Sequence, residues 1–103
     1  MSDHNEPVEL LHRIIDEYGS SIELTGEQGE LLQYTVVQEF KQKGQSYVAL
    51  QTKEMKKQHE VDFFKVIEHQ GELEIVTIDD DDEWEFVSET YDDIIFTQMK
   101  FPD

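Results

Sequence analysis

Cysteine is absent from the 103 residues, which excludes disulfide staples, thiolate nucleophiles and cysteine-held zinc together. Basic residues are scarce: 8 Lys and Arg stand against 25 Asp and Glu, a formal net charge of −17. Such a surface repels phosphate backbones and anionic lipid, so neither nucleic acid nor membrane is an expected partner. Apolar runs are only a few residues long, far short of a bilayer span. The opening Met1-Ser2-Asp3-His4-Asn5-Glu6 has no apolar stretch of the kind that marks a secretion signal. By elimination the expected location is the cytoplasm.

What remains is enough to fold. Hydrophobic residues make up 37% and aromatics 11% of the chain, and their periodicity supports one domain over residues 1–103 with a single modest core. Residues 1–6 and 101–103 have little to bury and are expected to be flexible ends. From Pro7 to Tyr18, Val8, Leu11, Ile14, Ile15 and Tyr18 recur at helical spacing. Asn5 serves as N-cap, Pro7 fits the first turn and Gly19 ends the helix, leaving Glu9, Arg13, Asp16 and Glu17 facing water.

The period then changes to two. Ile22 and Leu24 read as a short strand, and Leu31–Phe40 as a longer one with Leu32, Tyr34, Val36 and Phe40 on one face and Gln33, Thr35 and Glu39 on the other. A Gly-bearing turn at Gln42–Gln45 leads to a more fully buried strand, Ser46–Gln51. Thr52–Glu60 reads as a polar connection. Val61–Ile67 and Leu73–Ile78 follow, joined at His69-Gln70-Gly71, and the adjacent Phe63 and Phe64 require either cover on both sheet faces or a bulge. Short strands joined by Gly-bearing loops imply antiparallel hairpins. The acidic run Asp79–Glu83 opens a last helix with the stripe Trp84, Val87, Tyr91, Ile94, Ile95, and Asp80 with Glu83 has the spacing of a capping box. The expected fold is α+β: an antiparallel sheet of about five strands built from hairpins, flanked by an N-terminal and a C-terminal helix.

Chemistry-bearing patterns are few. Asp79-Asp80-Asp81-Asp82-Glu83 lacks the alternating ligands and central glycine of a calcium loop, and helix capping with solvation accounts for it without a metal. His4, His12, His59 and His69 form no pair one helical turn apart. Ser20, Ser21, Ser46 and Ser88 have no recognisable His and acid spacing around them. Gly26 and Gly29 lack the lysine and following helix of a phosphate loop. No catalytic, cofactor-binding or metal residue is assigned and no cofactor is expected. Lys41, Lys43, Lys53, Lys56 and Lys57 place five of the eight bases in one stretch, which is either a docking patch or solvated loops whose lysines discourage edge pairing.

Ile22-Glu23-Leu24, Gly29-Glu30, Tyr34-Thr35-Val36-Val37, Phe40, Gly44 and Tyr47-Val48-Ala49-Leu50 resemble the YrzB-like family of small acidic bacterial proteins. Gly71-Glu72-Leu73 through Ile78, with Asp79–Trp84 opening the last helix, is similar to that family's C-terminal half. The resemblance covers Ser21–Phe96. It departs in the long N-terminal helix and in Lys53, Lys56 and Lys57. It implies a fold and a bacterial cytoplasmic setting, and it transfers no reaction, because the family's domain has no known function.

The expected role is a non-enzymatic interaction or regulatory module with an unknown protein partner. The alternative is a nucleic-acid mimic that blocks a basic groove on a partner. A homodimer follows if the two helices cover only one face of the sheet.

Overall fold

A computed structural model describes residues 8–26 and 28–100. Within these residues six strands form one antiparallel sheet: β1 (Glu9–Leu11), β2 (Ser21–Thr25), β3 (Leu31–Gln42), β4 (Gln45–Gln51), β5 (Asp62–His69) and β6 (Glu72–Thr77). Among the described residues three helices accompany it: α1 (Arg13–Tyr18), α2 (Lys53–Lys57) and α3 (Asp81–Lys100). The α+β class and the hairpin-built antiparallel sheet are as expected from the sequence. The sixth strand is β1.

The order across the sheet is β1-β3-β4-β5-β6, with β2 also paired to β3. Both β1 and β2 lie along the same side of β3: Glu9–Leu11 opposes Lys41–Glu39 and Ser21–Thr25 opposes Thr35–Leu31. They are two halves of one edge, and α1 is a helical excursion between them. The expected helix from Pro7 therefore shrinks to its second half. Leu10 and Leu11 have helical spacing relative to Ile14, but the open edge of β3 offers Glu9–Leu11 ladder hydrogen bonds that a short isolated helix cannot match. The expected caps Asn5 and Pro7 lie outside the described residues. Gly19 does end α1, at φ 90 and ψ −178 with its N–H on Ile15 O at 2.9 Å, a region open essentially to glycine alone.

A register shift interrupts the β3–β4 ladder between Val36 and Gln38. The extra residue reverses the alternation beyond it, which corrects the expected single face for β3. Leu32, Tyr34 and Val36 stay with Val48, Leu50, Phe64, Val66 and Ile14, whereas Phe40 joins Tyr47, Ala49, Phe63, Val87 and Ile94 on the other side. Glu39 is carried from the expected solvent face into the interior. Phe63 and Phe64 resolve the other way: both are buried on opposite faces of a regular ladder. The central strand β4 is covered on both sides, with Val48, Ala49 and Leu50 fully buried. Truncating the fully buried Phe40 of neighbouring β3 removes about 3–5 kcal/mol.

Two tight turns have the geometry their strands require. Lys43-Gly44 and Gln70-Gly71 both have positive φ at each residue and sit between the paired residues Gln42↔Gln45 and His69↔Glu72, as two-residue hairpin turns of the primed type demand. Thr52–Glu60, expected as a plain connection, holds α2. Thr52 Oγ1 accepts from Met55 N–H at 3.1 Å to start it. His59 N–H to Lys56 O and Glu60 N–H to Met55 O, at 3.2 and 2.9 Å, close it with His59 at φ 60, in the place usually taken by glycine.

Candidate functional site

One face of the sheet is packed by α3, and a concave region lies beside that helix. Val87 and Ile94 are buried as expected, but Thr90 is buried too, its single hydroxyl hydrogen within reach of Gln42 Oε1 at 2.8 Å and Phe86 O at 3.0 Å. Glu83 does not serve a capping box. Its carboxylate accepts from the Tyr47 hydroxyl at 2.8 Å and pairs with Lys65 Nζ at 3.4 Å. Burial, and then the Glu83 carboxylate, push the Tyr47 phenol well above its usual range. These anchors draw the Glu83–Phe86–Thr90 side of α3 onto the sheet. The Trp84–Tyr91–Ile95 side stays partly exposed.

Beside it lies a cleft of about 850 Å³ between α3 and the ends of β4 and β5. Phe63 forms its floor, and the Trp84 and Tyr91 rings pack edge-on against it at 5.3 Å each. Trp84 keeps 38% of its surface exposed. Ile95 and Ser88 continue the helical wall. His59 and Glu60 form the opposite rim, held in place by the α2 terminus and by Gln51 Nε2 donating to Glu60 O at 2.8 Å. Asp92 stands at the edge, and burial together with Asp92 raises the Tyr91 phenol.

Ser88, His59 and Asp92 thus line the same cleft, a proximity that their positions in the sequence do not reveal. Among the described residues no hydrogen bond joins hydroxyl, imidazole and carboxylate, the linkage that activates a serine nucleophile. Of the other histidines, His12 bonds to Asp16 at 2.7 Å on the exposed side of α1, which raises its pKa. His69 ends β5, and His4 lies outside the described residues. The run Asp79–Glu83 is divided among separate tasks: Asp79 accepts from Thr77 Oγ1 at 3.4 Å, Asp80 from Asp82 N–H at 2.9 Å, and Glu83 turns to the sheet. Among the described residues, no group of three or more His, Asp or Glu side chains is placed to hold a metal ion.

The lysines do not form one patch. Lys41 and Lys43 stand at the turn end of β4, while Lys53, Lys56 and Lys57 are on α2 at its other end, a seven-residue strand or about 20 Å away. Lys43 Nζ lies 4.7 Å from the Phe86 ring centroid, on the flank of α3 away from the cleft.

Two further depressions lie on the opposite face. One of about 460 Å³ is bordered by Arg13, Asp16, Glu17 and Glu68. Arg13 is already committed there: its Nε donates to buried Glu39 at 3.2 Å and Nη2 to Ser46 Oγ at 3.1 Å. The other Glu39 oxygen accepts from Ile14 N–H at 2.9 Å and so starts α1. A hollow of about 400 Å³ lies beside Leu24, Leu32, Tyr34 and Phe64 with Asp62 at its wall. Burial raises the pKa of Asp62, against the smaller pull of the Phe63 N–H at 3.0 Å.

The family described as "Protein of unknown function (DUF1292)" matches residues 27–95. The chain belongs to it. That span begins in the β2–β3 loop and ends in α3, so it holds the central hairpins and every wall of the aromatic cleft, and it omits β1, α1 and β2. No curated protein and no solved structure matches the chain. Among the described residues, no helix is long and apolar enough to cross a membrane.

Proposed function

We propose that this DUF1292 protein is a non-enzymatic protein-binding module of the cytoplasm that engages its partner through the aromatic cleft beside α3. The observation that carries this reading is the pair of partly exposed rings, Trp84 and Tyr91, fixed edge-on against buried Phe63. Rigid aromatic side chains beside a polar rim are the usual anchors of protein interfaces, because they bury much area at little entropic cost. The unlinked Ser88, His59 and Asp92 favour binding over catalysis.

Photo-crosslinking in the native cell tests the proposal. A photoreactive amino acid replacing Ser88, in the cleft, is expected to trap a discrete protein that the same probe replacing Gln33, on the exposed part of the sheet, does not. Identical products from both positions, or none from either, refute it.

A second reading has one supporting observation. Asp81, Asp82, Glu85, Glu89, Asp92 and Asp93 are all exposed and recur along one side of α3. Over about 18 Å of helix they place roughly one charge per 3 Å, close to the spacing of about 3.4 Å along one DNA strand. This supports nucleic-acid mimicry toward a basic groove. In that case crosslinking from Glu85 exceeds that from Ser88, and a trapped complex dissociates steeply between 50 and 200 mM salt.

A further inference from the structure

We propose that the cleft takes an arginine side chain from a basic segment of the partner. The inference rests on the protein-binding reading above and names the chemistry of the occupant. Its first support is the lining. Aromatic rings form the floor and one wall, Glu60 and Asp92 stand on the rim, and no described lysine or arginine lines the cleft. Neither carboxylate has an ion-pair partner among the described residues, where Arg13 and Lys65 are spent on Glu39, Glu68 and Glu83.

The second support is the contrast between the two flanks of α3. On the far flank the chain supplies its own cation, Lys43 over Phe86. On the cleft flank the aromatic surface and the carboxylates are present, and among the described residues no lysine or arginine is. A guanidinium satisfies both groups at once, because it stacks on aromatic faces and presents a planar fork of donors to a carboxylate. The third support is field. With a net charge of −17, and with the acidic stripe of α3 running through Asp92 into the cleft edge, a basic segment is drawn in and an acidic one is turned away.

Trp84 is the single tryptophan of the chain, so its indole N–H resonance and its emission both report on the cleft. The full chain at 150 mM NaCl is titrated with an acetylated, amidated seven-residue peptide, Gly-Ser-Arg-Gly-Arg-Ser-Gly, and with its twin carrying citrulline, which keeps the shape and removes the charge. A saturable shift of the Trp84 indole signal is expected with the arginine peptide and not with the citrulline peptide. Asp92→Asn is expected to weaken binding at least fivefold, and Asp93→Asn, an equal charge change one residue away from the cleft, less than twofold. Equal losses in the two variants would mean diffuse attraction to an acidic surface and overturn the proposal. So would an unmoved indole signal, or a citrulline peptide that binds as well. If these fail while the Ser88 crosslink is retained, protein binding stands with a different occupant; if the crosslink is also lost, both readings fall.

Discussion

Among single residues, the two carboxylates inside the sheet face that carries α1 have opposite consequences. Glu39 is 1% exposed and is bonded on both oxygens, by Arg13 and by the first turn of α1. Glu39→Ala removes the acceptor and leaves the Ile14 N–H buried without a partner, a loss of about 2–3 kcal/mol in urea denaturation. Glu39→Gln, which keeps an acceptor, costs less than half of that. Asp62 is the reverse case. Because burial raises its folded-state pKa, its stabilising contribution is complete when it is protonated and is lost as pH rises through that raised value. Asp62→Asn is therefore expected to raise the melting temperature at pH 7, and the gain disappears below about pH 3.5, where the native carboxyl is itself neutral. A variant equally stabilised at both pH values would show that charge is not the cause.

Among the elements, the bulge in β3 decides which side chains reach which core. Val37 is the added residue between the registered pairs Val36↔Leu50 and Gln38↔Ala49. Deleting it leaves a regular ladder in which Gln38 follows Val36 directly, so Glu39 and Phe40 keep their partners Val48 and Tyr47 and their faces. The deletion is therefore expected to retain cooperative thermal unfolding, as is Val37→Ala with a loss of about 1 kcal/mol; a non-cooperative melt of the deletion variant would show that the bulge itself is required. The end of α2 offers a gain instead. His59 holds a left-handed conformation that costs a side-chain-bearing residue roughly 1 kcal/mol relative to glycine. His59→Gly is expected to stabilise the protein by about 0.5–1 kcal/mol in chemical denaturation. Destabilisation would mean that the imidazole contributes contacts worth more than the strain.

Across the whole molecule, repulsion between like charges dominates the electrostatics. A net charge of −17 on 103 residues repels itself across a surface on which only four ion pairs are formed among the described residues. Raising sodium chloride from 10 mM to 0.5 M shortens the screening length from about 30 Å to about 4 Å. The melting temperature is expected to rise over that range, opposite to the behaviour of a protein held together by surface salt bridges. A flat or falling profile in differential scanning calorimetry contradicts this. The same field explains why binding to the cleft has to be tested near 150 mM salt, where distant charges are screened and contacts within the cleft are not.

Local pattern along the chain is sufficient for β2 to β6, their two tight Gly-bearing turns, and α3. These rest on alternation and turn chemistry, which act over a few residues. Other outcomes needed partners brought together by folding. Glu9–Leu11 became a strand because the edge of β3 was open to pair with it, and Glu39 went inside because one extra residue reversed the alternation beyond Val36. Trp84 faced outward because Tyr47, Lys65 and Gln42 claimed the neighbouring side of α3. Each of those outcomes is settled by a group tens of residues away, and periodicity along one strand or helix carries no information about such a group. The cleft belongs with them, since its floor comes from β5, one wall from α3 and its rim from the end of α2.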